Sequence, residues 1–217
     1  MESLHPRLLL SAAWGELRNF AFSPKPPTIP NLSYLKLGLA GMGNCQNWGD
    51  QWKQARDQLL AATSNPPGWV AVAYVDVEKA NSPPIKDVLS TAIQNRAAGM
   101  LFDTFCKTGA GLRELISRHQ LQEMIDTLHH HGLMAAVAGK VTLADLPELC
   151  ESGADIIAVR SAACAQQKRT AELDPHAIQQ LLLALKPALD RNIPITTDFG
   201  SVHDKSLFPQ PATSSAQ

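Results

Sequence analysis

Five charged residues stand at or just beyond the ends of four predicted strands: Lys36, Asp103, Lys107, Lys140 and Arg160. If parallel strands close into a barrel, residues placed in this way meet at one rim. A lysine crowded by other groups loses its proton more easily, and a nearby carboxylate can orient it or pass protons on. The set therefore favours acid–base chemistry on a small substrate. The alternative is that Asp103 caps a loop and Lys107 is a solvated loop residue.

Lys36 has unusual surroundings, because the other residues of the stretch 34–41 are apolar residues or glycine. An ammonium held among apolar side chains must find a partner or lose its proton. Lys36 is thus a candidate proton acceptor if the run is buried. If the run forms the edge of a sheet, Lys36 simply faces water.

The last two predicted strands end in stretches that suit a phosphate group. Gly139 and Lys140 follow one of them, and Arg160, Ser161 and Ala162 follow the other. Barrels often bind phosphate at this position through backbone N–H groups and a helix N-terminus. Arg160 can add a bidentate contact.

Neither histidine nor cysteine predicts a metal or catalytic site. Residues 129–131 are three consecutive histidines, which point in different directions on a helix and favour a solvated helix end. The four cysteines are far apart and form no C-x-x-C pair, which favours free thiols in a reducing cytoplasm. They are Cys45, Cys106, Cys150 and Cys164. We expect no cofactor and no metal ion.

Composition narrows the class of protein. The chain has 217 residues, a hydrophobic fraction of 45% and a formal net charge of -1. These values suit one domain with a sizeable core and argue against a nucleic-acid or membrane-surface partner. No apolar run approaches the ~18 residues of a membrane span, and no signal peptide is visible at the N-terminus. We expect a cytoplasmic protein with one domain at residues 1–190 and a disordered tail at residues 191–217.

Strand and helix patterns alternate along the chain. Apolar runs predict strands near residues 8–13, 34–39, 69–75, 100–105, 133–137 and 156–160, the first leaving into a loop at residues 14–16. Helical spacing marks residues 52–62, the segment after Pro84, and residues 112–128, 142–149 and 175–189. Such alternation predicts a parallel sheet covered by helices. Six strands and a length below the ~250 residues of a complete (β/α)₈ barrel predict a partial TIM barrel that lacks two βα units.

Several motifs follow one another over residues 8–165. They are Ser11-Ala12-Ala13-Trp14-Gly15-Glu16-Leu17, Lys36-Leu37-Gly38-Leu39-Ala40-Gly41, Val72-Ala73-Tyr74-Val75-Asp76, Asp103-Thr104-Phe105-Cys106-Lys107-Thr108-Gly109, His131-Gly132-Leu133 with Ala138-Gly139, and Val159-Arg160-Ser161-Ala162-Ala163-Cys164. In this order they resemble the motifs of the (5-formylfuran-3-yl)methyl phosphate synthase family of methanofuran biosynthesis.

The resemblance implies a TIM-barrel lyase that condenses two molecules of glyceraldehyde 3-phosphate to a phosphorylated furan aldehyde, with loss of water and one phosphate. It gives Lys36 the role of proton acceptor and places Asp103 and Lys107 in the same site. By strand periodicity Gly38 lies on the same side as Lys36 and leaves room for the sugar.

Departures from the family pattern define the remaining expectations. The family's first two strands, which carry its Schiff-base lysine, have no counterpart, and Lys25 in a proline-rich loop is no substitute. Lys140 and Ser161 stand where the family usually has Ser and Gly. Two explanations fit the absence of these strands: a start codon that is set too late, or a chain that is a true remnant of the family fold. A remnant with two open sheet edges needs a partner, so we expect a homo-oligomer.

Two other functions also fit the sequence: a class I aldolase-like enzyme acting on phosphotrioses, and an inactive protein that only binds a phosphosugar.

Overall fold

A computed structural model describes residues 9–20, 31–61 and 65–189, and the predicted tail lies outside these ranges. Its centre is a six-stranded sheet in which every neighbouring pair is parallel and the strands follow chain order. The strands are β1 Leu10–Glu16, β2 Leu32–Gly38, β3 Gly68–Tyr74, β4 Gly99–Asp103, β5 Met134–Val137 and β6 Ile156–Ile157. Among the described residues the sheet stays open between β1 and β6, so the fold is an α/β half-barrel. This confirms the predicted α/β class and the six strands, whereas a TIM-type barrel stays a prediction.

From β2 onward helices follow each strand. They are α1 Trp48–Leu60, α2 Val77–Ala80, α3 Ile85–Gln94, α4 Leu112–Leu115, α5 Arg118–His130, α6 Leu146–Glu151 and α7 Pro175–Leu189. All of them except α2 contribute buried side chains to one apolar cluster. Short 3₁₀ turns occupy Leu17–Asn19, Leu143–Asp145, Ser161–Ala163 and Ala165–Gln167. The bounds of α7 are those that the sequence predicts.

Alternation along each strand divides the sheet into two faces. One face meets the helices in the main core, a cluster in which Met100 and Phe102 are fully buried and which also holds side chains of α3 and α5. We call the opposite side the inner face; it carries a smaller apolar cluster that includes Val72 and Leu101. Residues two apart share a face, so Lys36 belongs to the inner face because Leu35 and Leu37 lie in the main core.

β1 is longer than expected. Residues 14–16 continue the strand instead of leaving into a loop, and Glu16 pairs in register with Gly38. A register shift between Ala13 and Glu16 makes this possible, with Gly15 in the left-handed region at φ 91°. The prediction was wrong because a bulge that depends on the neighbouring strand leaves little trace in local sequence.

Other boundaries also differ from prediction: β4 ends at Asp103 rather than residue 105, and the expected helix at residues 142–149 is a 3₁₀ turn followed by α6. The expected helix at residues 112–128 is two helices, because Ile116 is extended and Ser117 accepts a hydrogen bond from the Gln120 N–H to start α5. The expected strand at residues 156–160 keeps only two residues in the sheet, and α1 begins at Trp48 rather than Trp52.

No helix within the described ranges is long and apolar enough to cross a membrane.

Candidate functional site

Asp103 and Lys107 form an ion pair at the end of β4. The Lys107 Nζ lies 3.2 Å from both carboxylate oxygens of Asp103 and also donates to the Thr104 carbonyl. The two side chains are 23% and 36% exposed, and such pairs contribute at most about 1 kcal/mol to stability. The pair therefore contributes little to the stability of the fold.

A carboxylate from the neighbouring strand fixes the loop that carries Lys107. Asp76 follows β3, is 7% exposed, and accepts the N–H groups of Phe105 at 2.7 Å and Cys106 at 2.8 Å. The Phe105 ring also meets the Tyr74 ring edge-on, with centroids 5.5 Å apart. Asp76 thus sets the position of Lys107. Sequence analysis missed this role, although a carboxylate directly after a buried strand is a visible signal.

Lys36 lies inside β2, two residues before the end of the strand. Its Nζ donates to the Ser11 hydroxyl at 2.6 Å, so its hydrogen-bond partner is neutral. Burial lowers the pKa of Lys36 below the usual 10.5, and the Asp103 carboxylate acts in the opposite direction. The lowered pKa increases the fraction of neutral amine, which is the form that can accept a proton.

A cavity of about 450 Å³ lies at the ends of β4, β5 and β6. It brings together seven residues selected from the sequence: Asp103, Lys107, Gly139, Lys140, Arg160, Ser161 and Ala162. Lys36 does not line this cavity, although its charge interacts with that of Asp103. Gln167 and Arg169 also line it and were missed, because they lie in a loop without periodicity.

Gly139 allows two loops of the cavity to approach each other. Its φ is 102°, and a Cβ there would lie 2.9 Å from the Thr104 backbone nitrogen, so a side chain would be strained and obstructed. Lys140 follows with φ 56°, and its Nζ donates to the Gly109 carbonyl. The β5 loop is therefore held against the loop that bears Lys107.

Glu16, the last residue of the edge strand β1, organises part of the inner face. Its Oε1 accepts the Tyr74 hydroxyl at 2.7 Å and its Oε2 accepts the Ala40 N–H at 2.7 Å. Gly38 packs directly on this carboxylate, since a Cβ there would lie 2.3 Å from Oε2. Burial, and then the hydrogen bond and charge of Glu16, raise the pKa of Tyr74 well above its ordinary value. Tyr74 consequently remains a hydrogen-bond donor.

The histidine run meets a carboxylate. His129 Nε2 lies 2.9 Å from Asp155 Oδ2, and His130 and His131 contact each other through their rings. Within the ranges that the structure describes, no group of three or more His, Cys, Asp or Glu side chains is arranged to hold a metal ion.

A family model described as 4-HFC-P synthase matches residues 1–182. The chain belongs to the 4-HFC-P synthase family. The resemblance drawn from the motifs is thereby confirmed.

Individual relatives agree with this assignment. The (5-formylfuran-3-yl)methyl phosphate synthase of Methanosarcina acetivorans is 38% identical over 183 residues, covering 78% of this chain and 74% of that protein. The synthase of the same name from Methanococcus maripaludis strain S2 is 30% identical, covering 76% of this chain and 71% of the relative. The match to the Methanopyrus kandleri synthase, 32% identical, covers 54% of this chain and about half of that relative's length, 49%.

Solved structures resemble the fold more distantly. A 3-hexulose-6-phosphate synthase aligns with a TM-score of 0.43 at 16% identity, over 70% of this chain and 62% of the other.

Proposed function

We propose that the protein acts in the synthesis of 4-(hydroxymethyl)-2-furancarboxaldehyde phosphate, the furan precursor of methanofuran-type cofactors. The reaction condenses two molecules of glyceraldehyde 3-phosphate and releases one phosphate and two molecules of water. The enzyme is then a carbon–oxygen lyase acting on phosphates. The observation that carries the proposal is the Asp103–Lys107 pair on the wall of a cavity that Arg160 also lines, in a chain of this family.

Each residue has a role that follows from its surroundings. Lys36 accepts a proton from the carbon next to the substrate carbonyl, since burial lowers the pKa of its ammonium. Asp103 and Lys107 exchange a proton with the substrate oxygens during condensation and dehydration. None of the lysines in the described ranges is assigned the Schiff-base role.

The phosphate group of the substrate is placed at the β5 and β6 loops. Arg160 supplies a guanidinium, which matches the geometry of phosphate oxygens. Gly139, Ser161 and Ala162 supply backbone near the same wall of the cavity. The second triose phosphate then lies toward Asp103 and Lys107.

Incubation of the purified protein with glyceraldehyde 3-phosphate tests the proposal. We expect the ultraviolet absorbance of a furan aldehyde to rise with the release of inorganic phosphate. Lys36→Met and Asp103→Asn should each reduce the rate by about 100-fold or more, as expected for loss of a general acid or base. Lys53→Met is the matched control, because Lys53 is an exposed lysine of α1 outside the cavity lining.

Absence of both products with the wild-type protein would show that the proposal is wrong. Borohydride trapping followed by product analysis separates it from a class I aldolase-like activity, which would give a trapped imine and a sugar phosphate without the furan. Binding of the substrate without turnover would instead indicate an inactive phosphosugar-binding protein.

A further inference from the structure

One wall of the cavity is formed by a loop that has no role in the proposal above. Residues 164–174 connect the 3₁₀ turn Ser161–Ala163 to α7, and Gln167 and Arg169 from this segment line the cavity. We call this segment the β6–α7 loop. Gln166 and Gln167 both have φ 54°, so the backbone turns tightly just before Arg169.

Backbone hydrogen bonds close the β6–α7 loop at its base. Cys164 and Leu173 form an antiparallel bridge, and the Ala165 N–H donates to the Glu172 carbonyl at 3.0 Å. The Asp174 N–H donates to the Ala163 carbonyl at 2.9 Å. The loop is therefore a closed unit rather than an open connection.

Further bonds define the tip that carries Arg169. The Lys168 N–H donates to the Ala165 carbonyl at 3.1 Å, and the Ala171 N–H donates to the Lys168 carbonyl at 2.9 Å. Arg169 lies inside this second turn, so its backbone position is fixed by bonds on both sides.

The same unit also fixes Arg160. The thiol of Cys164, which is 1% exposed, donates to the Arg160 carbonyl at 3.1 Å, and the Ala163 N–H donates to that carbonyl at 3.1 Å. Arg160 and Arg169 therefore belong to one hydrogen-bonded unit that faces the cavity.

The charge on the cavity wall is unbalanced. Its lining contains two arginines and two lysines but a single carboxylate, Asp103, which already pairs with Lys107. In the part of the chain that the structure describes, neither Arg160 nor Arg169 has a side-chain hydrogen bond or ion pair. Two guanidiniums without counter-ions next to a cavity suit an anion with several oxygens, which guanidiniums can contact bidentately.

We propose that Arg160 and Arg169 together hold one phosphate monoester of the substrate, and that Arg169 determines the selectivity for phosphorylated over unphosphorylated trioses. This inference rests on the proposed function, because it names a further contact of the same site. It assigns the β6–α7 loop the task of presenting the second guanidinium.

Calorimetric titration of the full chain with glycerol 3-phosphate tests the inference without turnover, and glycerol is the probe that lacks the phosphate. The wild type should bind glycerol 3-phosphate and not glycerol. Arg169→Ala should lower the affinity for glycerol 3-phosphate by about 10- to 100-fold, the range for loss of hydrogen bonds to a charged group. The affinity of Arg169→Lys for glycerol 3-phosphate should lie between those of the wild type and Arg169→Ala. An ammonium keeps the positive charge but lacks the paired N–H donors of a guanidinium.

Lys168→Ala is the matched control. It removes the same charge one residue away, and Lys168 is exposed and does not line the cavity. We expect less than about a twofold change, since a solvent-exposed charge that makes no contact is screened by salt. An equal loss in Lys168→Ala and Arg169→Ala would show that only overall charge matters and would overturn the inference.

The double variant Arg160→Ala with Arg169→Ala tests whether both arginines share one phosphate. Sharing predicts that the double variant loses less than the product of the two single losses. A fully multiplicative loss would show that the arginines act independently.

Failure of this inference can be told apart from failure of the proposed function. If the wild type forms the furan product and Arg169→Ala binds glycerol 3-phosphate as tightly as the wild type, the proposed function is supported and the role of Arg169 is refuted. If Arg169→Ala selectively loses glycerol 3-phosphate binding but the wild type forms no furan product, the role of Arg169 in binding phosphate is supported and the proposed function is refuted.

Discussion

Gly38 is required because a carboxylate occupies the space where its side chain would be. In Gly38→Ala the new Cβ would lie 2.3 Å from Glu16 Oε2. The overlap itself can be relieved by rotation of the Glu16 side chain. That rotation, however, breaks the bonds from the Tyr74 hydroxyl and the Ala40 N–H, each 2.7 Å long. Hydrogen bonds to charged groups contribute about 1.5–3 kcal/mol each. Because this carboxylate is only half-buried and regains water, we expect a net loss of about 2 kcal/mol.

Equilibrium unfolding in urea at pH 7 measures this loss, and a second background identifies its cause. In Glu16→Ala the carboxylate is absent, so Gly38→Ala should cost nothing there, or should stabilise by the ~0.4–1 kcal/mol that restriction of the unfolded chain provides. The destabilisation by Gly38→Ala should thus disappear or change sign in the Glu16→Ala background.

Gly49→Ala is the matched control. Gly49 lies in α1, and a Cβ there would have its nearest neighbour at 3.6 Å, an ordinary contact with Thr91. Alanine should therefore stabilise α1 by about 0.5 kcal/mol. Equal destabilisation by Gly38→Ala with and without Glu16 would refute the reasoning.

Two further predictions follow from groups with shifted pKa values. Lys36→Met should raise the free energy of unfolding at pH 7, because burial disfavours the ammonium and lowers the pKa of Lys36. The gain should shrink as pH rises from the folded-state pKa toward 10.5, where the amine becomes neutral in both states; urea titrations at several pH values measure it, and a pH-independent gain would contradict it. Iodoacetamide at pH 7 should alkylate Cys106 before Cys150, because hydrogen bonds from Thr108 lower the pKa of the Cys106 thiol while burial raises that of Cys150. Peptide mass mapping follows both sites, and Thr108→Val should slow alkylation of Cys106; reaction of Cys150 first would contradict the assignment.

The fold was largely predictable because strong periodicity reports packing directly. β3 is a run of buried apolar residues and α7 has a clear amphipathic pattern, so both were predicted well. The break between α4 and α5 was missed because apolar spacing continues across it. A local signal was nevertheless present, since Ser117 and Gln120 have the spacing of a capping box.

The site was predictable only where it follows strand ends. Asp103 ends β4, Gly139 lies two residues after β5 and Arg160 lies three residues after β6. The parallel topology brings them to one cavity. Glu16 and Arg169 could not be assigned in this way. The role of Glu16 depends on the bulge in β1 and on partners 24 and 58 residues away, and Arg169 depends on a loop closed by backbone bonds.

The order of the strands also bears on how the chain folds during synthesis. Every pair of neighbouring strands joins residues only 20 to 35 positions apart in the chain. A ribosome adds ~5–20 residues per second, so the partner of each strand is synthesised within seconds. The sheet can therefore grow one strand at a time from β1 toward β6. The cavity, which needs the loops after β4, β5 and β6, is completed last.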